Sequence, residues 1–446
     1  MIKEIWVHNF RSLENFGLQV QPGLNVLVGP NGAGKTSIMK WFEFLSLLSS
    51  LSLRESIGKV GGANHVFRRK NEKYSEYLSF RFSGTTQVNK DFYYPERDRR
   101  ETFIDYDYFG EISVIQNQIF FSKQNTRIWV HPTAKTVSTT DDNPNIDVKW
   151  SYDALTDDIN CDIKTIKPRN IPKDGLERYY FDEKNMMIDI MKGRHSLEHL
   201  ILPSKIFPVD YLYSIKEDLS YKKAFNINPS SVRSATDISL QPGVQFDGAG
   251  LVSTLYDIKS QNIQGAPTRY QIGSRANRSK APIYYKVLSY FKLSDHTIHG
   301  IEASIDNFRN EFNVEVEFEA ADGVYRVPVF LLSDGTLKWL AIVTALTTEG
   351  HSLFIEEPEN FLHPRLQENI VEIIREEIAT SSTPRFAFLT THSETLLNKL
   401  KPEEIIVTSM IDGKTISNRV DNPEEISDII SESGFGLGYF YISGGL

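Results

Sequence analysis

Eight residues near the amino end, Gly29-Pro30-Asn31-Gly32-Ala33-Gly34-Lys35-Thr36, fit the pattern G-x-x-x-x-G-K-[ST] at every fixed position. Each fixed residue answers a physical need. Gly29, Gly32 and Gly34 let the backbone take φ > 0 and approach an anion with no Cβ in the way. Successive N–H groups then converge on the anion, and a following helix adds its positive dipole end. Lys35 supplies a point charge for β- and γ-phosphates, and Thr36 a hydroxyl for Mg²⁺. The context agrees: Asn25–Val28 reads as a buried strand and Ser37–Leu45 as a helix. The expected binding set for a nucleoside triphosphate is therefore Asn31, Gly32, Ala33, Gly34, Lys35, Thr36 and Ser37.

The chain has 446 residues, more than one ordinary domain, so a composite domain or two to three lobes is expected. A hydrophobic share of 40% and a charged share of 24% are those of a globular protein in water. The net charge of −9 gives no global reason to bind nucleic acid or an anionic membrane. Basic runs are local: Phe67-Arg68-Arg69-Lys70, Arg97-Asp98-Arg99-Arg100, and the acid-free stretch 269–280 with Arg269, Arg275, Arg278 and Lys280. Such runs neutralise phosphates in some proteins and are solvated loops in more. Cys161 is the single cysteine, which rules out an internal disulfide and a Cys-rich metal site and fits a reducing cytoplasm. Met1–Trp6 lacks a secretory pattern, and the apolar run Ile38–Leu53 carries Lys40, Glu43 and serines, so it reads as a core helix. The expectation is a cytoplasmic chain with no membrane contact.

Strands are expected at Ile2–His8, Phe16–Val20, Tyr77–Phe82, Glu111–Ile115, Gln118–Phe121, Arg127–Val130 and Val314–Phe318. The aromatic ones after residue 77 suggest an antiparallel β subdomain. Ser138–Asn145 reads as a polar loop. From about 175 to 312, apolar residues three or four apart predict helices, the firmest at Leu251–Ile258, Tyr284–Leu293 and Ile301–Phe308. Sustained heptads are absent from the sequence, and so are internal repeats.

A second informative block lies toward the carboxyl end. Leu332-Ser333-Asp334-Gly335-Thr336 precedes an apolar helix with Leu337, Leu340, Ala341, Thr344 and Ala345. Ser352–Glu357 is a short apolar strand ending in two carboxylates, Glu356 and Glu357. An acid at a strand tip beside a phosphate loop can hold Mg²⁺, and the next can activate a water. Pro358–Pro364 turns into an amphipathic helix through Leu366, Ile370, Ile373, Ile374 and Ile378. Phe386–Thr391 is a further strand, and His392 at its end is placed to contact a γ-phosphate.

This order resembles the ATP-binding-cassette heads of the SMC, RecF and OLD-type ATPases. The resemblance rests on Asn9-Phe10-Arg11-Ser12, Gly29–Thr36, Leu332–Thr336, Ile355–Asn360 and Thr391-His392-Ser393. It is close over roughly residues 1–55 and 325–420. It implies an α/β fold: an ABC-type P-loop ATPase head built from the N- and C-terminal parts, with an inserted antiparallel β subdomain and a helical lobe. The expected divisions are 1–60, 61–175, 176–320 and 321–446. By resemblance Lys35 and Thr36 belong to Walker A, and Glu356 stands in for the usual Walker B aspartate. Glu357 matches the catalytic glutamate, and His392 the switch histidine. Ser333, Asp334, Gly335 and Thr336 match the signature loop, which acts in trans, and Glu359-Asn360 stand at the D-loop. Thr36 and Glu356 would hold the metal, with ATP and Mg²⁺ as cofactors. Gln116 and Gln118 are the Q-loop candidates. Such heads form ATP-sandwiched dimers, so a homo-oligomer is implied.

In OLD-type nucleases a Toprim domain follows the head. The residues after His392 carry no such acidic pattern, so a stand-alone ATPase with a separate nuclease effector is expected. The chain looks like the ATPase subunits of anti-phage systems of the PtuA or AriA type. A second reading is a RecF-like repair clamp that grips duplex DNA as an ATP-dependent dimer, and a third is a transporter ATPase, which the split head argues against.

Overall fold

The computed structural model describes residues 1–88, 102–130, 145–156, 158–166, 195–200, 215–216, 218–219, 224–234, 236–264, 283–348, 352–380 and 385–445. The chain divides into two compact units. One comprises Met1–Gln21, Pro30–Tyr221 and Thr408–Ser417; the other comprises Pro22–Gly29, Lys222–Val407 and Asn418–Leu446.

The chain begins with β1 (Ile2–His8), β2 (Phe16–Gln19) and β3 (Gly23–Val28), followed by α1 (Lys35–Leu48) and α2 (Leu53–Lys59). The two-residue strands β4 (Arg69–Lys70) and β5 (Lys73–Tyr74) pair with each other. Long strands follow: β6 (Tyr77–Val88), β7 (Thr102–Ile115), β8 (Gln118–Val130), β9 (Asn145–Asp153) and β10 (Asp158–Ile166). In the first unit they form an antiparallel sheet of order β10-β9-β8-β7-β6-β1-β2. Alternation sends Phe80, Phe82, Tyr106 and Tyr108 to its buried face and Arg81, Asp107 and Arg127 to the other. Phe82 stacks on Tyr108 with centroids 5.0 Å apart. From α1, Trp41 meets Phe80 edge-on at 5.2 Å, and Phe10 packs on both Trp41 and Phe44. This aromatic layer explains why the strands extend beyond the apolar segments visible in sequence: the interrupting Asp and Arg residues occupy the outward register.

The second unit adds α3 (Leu251–Gln264), α4 (Ile283–Phe291), β11 (Ile298–Asp306), β12 (Glu311–Ala320), β13 (Gly323–Pro328) and α5 (Asp334–Thr348). These lead to β14 (Leu353–Glu356), α6 (Pro364–Ala379), β15 (Phe386–Thr390) and α7 (Glu394–Leu397); β16 (Ile405–Ile411) and β17 (Lys414–Arg419) are shared between the units, Thr408–Ser417 falling in the first, and α8 (Pro423–Ser433) and α9 (Leu437–Ile442) end the second. A five-stranded sheet has order β14-β15-β3-β16-β17, and its first four strands are parallel. Strands β3, β14 and β15 are apolar almost throughout, as a sheet covered on both faces requires. Asn25 is the exception: fully buried in β3, it accepts a hydrogen bond from Arg419. Helix α5 is enclosed on nearly every side, with Leu337, Trp339, Leu340 and Val343 all fully buried. Helix α6 is amphipathic, and its Pro364 sits at the first helical position after a His363 cap.

One expected helix is a strand. The spacing of Ile301, Ile305 and Phe308 predicts a helix over Ile301–Phe308, but Ile298–Asp306 is β11, paired antiparallel with β12 from Asp306↔Glu311 to Ile301↔Val316. Ladder pairing with a segment ten residues downstream outweighs a weak local period. Phe308, which that period placed on a core face, sits in the hairpin turn at 95% exposure.

Because Phe80 is fully buried between Trp41 and Tyr108, Phe80→Ala is expected to cost about 3–5 kcal/mol. Lys149→Ala, on the exposed side of the same sheet, should stay within about 0.5 kcal/mol. Urea unfolding midpoints of the two variants measure the contrast.

Candidate functional site

Strand β3 stops at Val28, and the chain then turns through Gly29 to Lys35, where α1 begins. Gly34 has φ 98°, and a Cβ there would lie 1.8 Å from the Thr415 hydroxyl oxygen. No other residue type fits both constraints. Thr415 is in turn tied to the turn at Asn9–Ser12: its hydroxyl is 2.7 Å from that of Ser12, and its N–H donates to the Ser12 carbonyl at 2.9 Å. Ser12 also donates to the Ser37 hydroxyl at 2.9 Å, in the first turn of α1. Lys35 is 7% exposed, and its Nζ folds back to the Pro30 carbonyl at 3.2 Å. Asn31, Gly32 and Thr36 face solvent, while Ala33 is buried. An exposed arch of positive-φ glycine with an ammonium folded beneath it fits a phosphate chain, and the exposed Thr36 hydroxyl fits a metal ion.

In the second unit, register fixes what lies at the carboxyl ends of the parallel strands. Glu356 of β14 pairs with Thr390 of β15, and Thr390 with Leu27 of β3. Glu356-Glu357, Thr391-His392 and Val28-Gly29 therefore line one edge of one sheet, the edge where open parallel sheets bind ligands. Tyr441 of α9 hydrogen-bonds the Gly29 backbone. Asn226 donates to the Glu356 carboxylate at 3.3 Å, and its neighbour Phe225 exchanges backbone hydrogen bonds with Phe354 and Glu356.

Glu357 leaves the strand with φ 44°, its N–H donating to the carbonyl (3.0 Å) and hydroxyl (3.1 Å) of Thr390. Its carboxylate accepts from Asn360 at 2.9 Å. Glu359 reaches the next strand end and accepts from the Thr391 hydroxyl and the His392 N–H, both at 2.8 Å. The His392 ring is exposed. Ser393 caps α7 through the Leu396 N–H and donates to Gln367 at 2.6 Å.

The loop Leu332–Thr336 begins α5. The Ser333 hydroxyl accepts the Thr336 N–H at 3.2 Å and lies 2.8 Å from the Thr336 hydroxyl. Arg233 braces this loop from outside. It donates to the carbonyls of Phe330 (3.1 Å) and Leu332 (2.8 Å) and pairs with Asp334 at 2.6 Å. One turn into α5, Lys338 is 1% exposed and donates to the Glu357 carbonyl at 2.9 Å. Burial pulls its pKa down to about 8, partly opposed by the carboxylates of Glu359 and Glu357.

Glu356, Glu357 and His392 thus fall on one sheet edge, Ser333–Thr336 head the helix that touches Glu357, and Asn31–Ser37 follow β3. Of the Q-loop candidates, Gln116 occupies the β7–β8 turn with φ 50° and Gln118 opens β8. Arg68 is buried against Glu14 at 3.0 Å and donates to the carbonyls of Arg11 and Gly413, a bracing role. Arg97–Arg100 and Arg269–Lys280 lie outside the described residues. Sequence reasoning missed Asn226, Arg233, Lys338 and Thr415. Of these, only Lys338 carried a signal, as a lysine among apolar helix positions.

A glycine loop joining a parallel strand to a helix, with paired acids at the end of a strand of the same sheet, defines the class: a P-loop ATPase. The family described as "AAA domain, putative AbiEii toxin, Type IV TA system" matches residues 24–398, and the chain belongs to that family. Among individual proteins, the chain is similar to the DNA replication and repair protein RecF of Chlorobium luteolum, 42% identical over 50 residues. That segment covers 11% of this chain and 14% of RecF. RecF of Erwinia tasmaniensis is 46% identical over 39 residues, 9% of this chain and 11% of that protein. The match therefore spans about a seventh of these relatives or less. Among solved structures, an Smc head bound to the C-winged helix domain of ScpA has a TM-score of 0.47 at 13% identity, covering 95% of this chain and 99% of that one. The SMC head domain of Thermotoga maritima has a TM-score of 0.36 at 9% identity, with coverages of 94% and 99%.

Gly34→Ala forces a Cβ into Thr415 and an alanine into the left-handed region, so a loss of about 1–3 kcal/mol is expected from the backbone alone. The thermal midpoint of the purified variant measures it. Pairing it with Thr415→Gly should recover only the steric part.

Proposed function

We propose that the chain binds and hydrolyses ATP and serves as the sensor and scaffold subunit of a bacterial anti-phage complex that controls a separate nuclease effector. The observation that carries the ATPase part is the shared sheet edge bearing Gly29, Glu356-Glu357 and Thr391-His392, reached by the glycine loop through β3. Lys35 and the loop N–H groups hold the phosphates. Thr36 and Glu356 would hold Mg²⁺, which would supply positive charge against the phosphates. Glu357 takes a proton from the attacking water as its oxygen bonds to the γ-phosphorus and the bond to the bridging oxygen breaks, releasing ADP and phosphate. His392 contacts the γ-phosphate. Ser333, Asp334, Gly335 and Thr336 engage nucleotide held by a second copy, so ATP joins two subunits and hydrolysis lets them part. The defence part rests on the family description, which names a putative toxin of a Type IV TA system.

The local identity to RecF favours a second reading, a repair ATPase that grips duplex DNA as an ATP-dependent dimer. Native mass analysis of the chain, expressed with its neighbouring genes, with and without ATP, separates the two. A large homo-oligomer retaining a second protein supports the first reading. A monomer that pairs only with ATP and duplex DNA, with affinity falling steeply as salt rises, supports the second.

Glu357→Gln should lower ATP turnover by orders of magnitude while ATP binding and ATP-dependent association persist. Undiminished turnover would remove Glu357 from its role. Lys35→Ala should instead weaken nucleotide binding itself, measured by calorimetry with a non-hydrolysable analogue.

A further inference from the structure

Helix α5 and the loop that follows β14 are joined through two residues one turn apart on the same helix face. Gly335 approaches so closely that a Cβ there would lie 2.6 Å from the Phe361 carbonyl. Lys338, three residues on, donates to the Glu357 carbonyl, and its ammonium lies 5.8 Å from the centroid of the Phe361 ring. The two loop residues contacted both hold left-handed backbone, Glu357 at φ 44° and Phe361 at φ 67°. Such residues cost on the order of 1–3 kcal/mol each and persist where their surroundings over-determine them. Packing alone would favour an apolar side chain at a position 1% exposed, because a buried ammonium is costly to desolvate. What lysine adds there is a donor for the backbone of Glu357.

We propose that Lys338 is a positioning residue that locks the turn at Glu357, so that the helix headed by Ser333–Thr336 and the Glu357 carboxylate respond as one body. The inference rests on the ATPase reading above. In that reading the two ends of the link serve different nucleotides. The helix head engages ATP held by the second copy, and Glu357 acts on ATP held by its own chain. Lys338 thereby makes hydrolysis in one subunit depend on nucleotide in the other, and turnover should rise cooperatively with ATP concentration.

The test compares the full chain with Lys338→Met, which keeps the stem and removes the ammonium, and Lys338→Arg, which keeps a charged donor. Turnover against ATP concentration, affinity for a non-hydrolysable ATP analogue, and the thermal midpoint are measured for each. Lys338→Met is expected to lower kcat roughly tenfold or more and to bring the Hill coefficient from above one to one. Its affinity for the analogue should be unchanged, and Lys338→Arg should restore most of both losses. Should Lys338→Met fail to fold, Lys338→Leu, which also lacks a donor, carries the same comparison. Wild-type kcat and Hill coefficient per folded molecule in the variant that lacks the donor, or a Hill coefficient of one in the wild-type chain, overturns the link alone. A wild-type chain without ATP turnover overturns the ATPase reading and the link together.

Discussion

The register of three short parallel strands governs everything at the candidate site. Leu27, Thr390 and Glu356 sit side by side, so the turns that follow them start from one edge of the same sheet. A slip of one residue in β14 would send Glu356 to the opposite face of its strand and replace it with Ile355. What pins the register is burial. Phe354, Ile355, Phe388, Leu389, Val26 and Leu27 are all 4% exposed or less, so a slip would bury a polar group in place of an apolar one on either face. The loops can depart sharply from regular structure because the strands beneath them have so little freedom.

Polar groups inside this apolar setting stabilise only where each has a partner. Asn25 in the middle of β3 is satisfied by Arg419, at the end of β17. Glu359 accepts two donors from the end of β15, and Thr390 offers both its carbonyl and its hydroxyl to Glu357 N–H. Arg233 performs the same service for the carbonyls entering the Ser333 turn. These contacts connect residues far apart in sequence, and each fixes the direction of a backbone segment that would otherwise be free to choose another hydrogen-bonding partner.

That distinction also explains how much of the molecule was legible in its sequence. The glycine loop, the apolar strand ending in Glu356-Glu357, the amphipathic α6 and the strand leading to His392 announce themselves because each depends on a local pattern. The aromatic sheet of the first unit was visible in fragments, since alternation survives interruption by Asp105, Asp107 and Arg127. Where a structure depends on distant pairing, local pattern misleads: Ile301–Phe308 carries a helical spacing, yet β12 recruits most of it into a ladder. Thr415, Asn226 and Arg233 left no trace because nothing about a threonine, an asparagine or an arginine in isolation says what it will touch. Lys338 was visible as an anomaly, a charge among apolar helix positions, whose meaning required the carbonyl it meets.

The paired acids illustrate how one backbone angle divides two like residues. Had β14 continued in extended form, Glu356 and Glu357 would point to opposite faces of the sheet. The φ of 44° at Glu357 ends the alternation and turns the chain along the sheet edge. Glu356 stays on the strand, where Asn226 reaches it from the segment flanking β14. Glu357 enters the loop, where Asn360 holds its carboxylate and Lys338 its carbonyl. The two carboxylates therefore answer to different neighbours, one held on the strand and the other in a turn that α5 contacts. A glycine at 357 would make the same turn more easily, but it would bring no carboxylate to the sheet edge. The strain of a left-handed glutamate is the cost of placing acid chemistry at a bend.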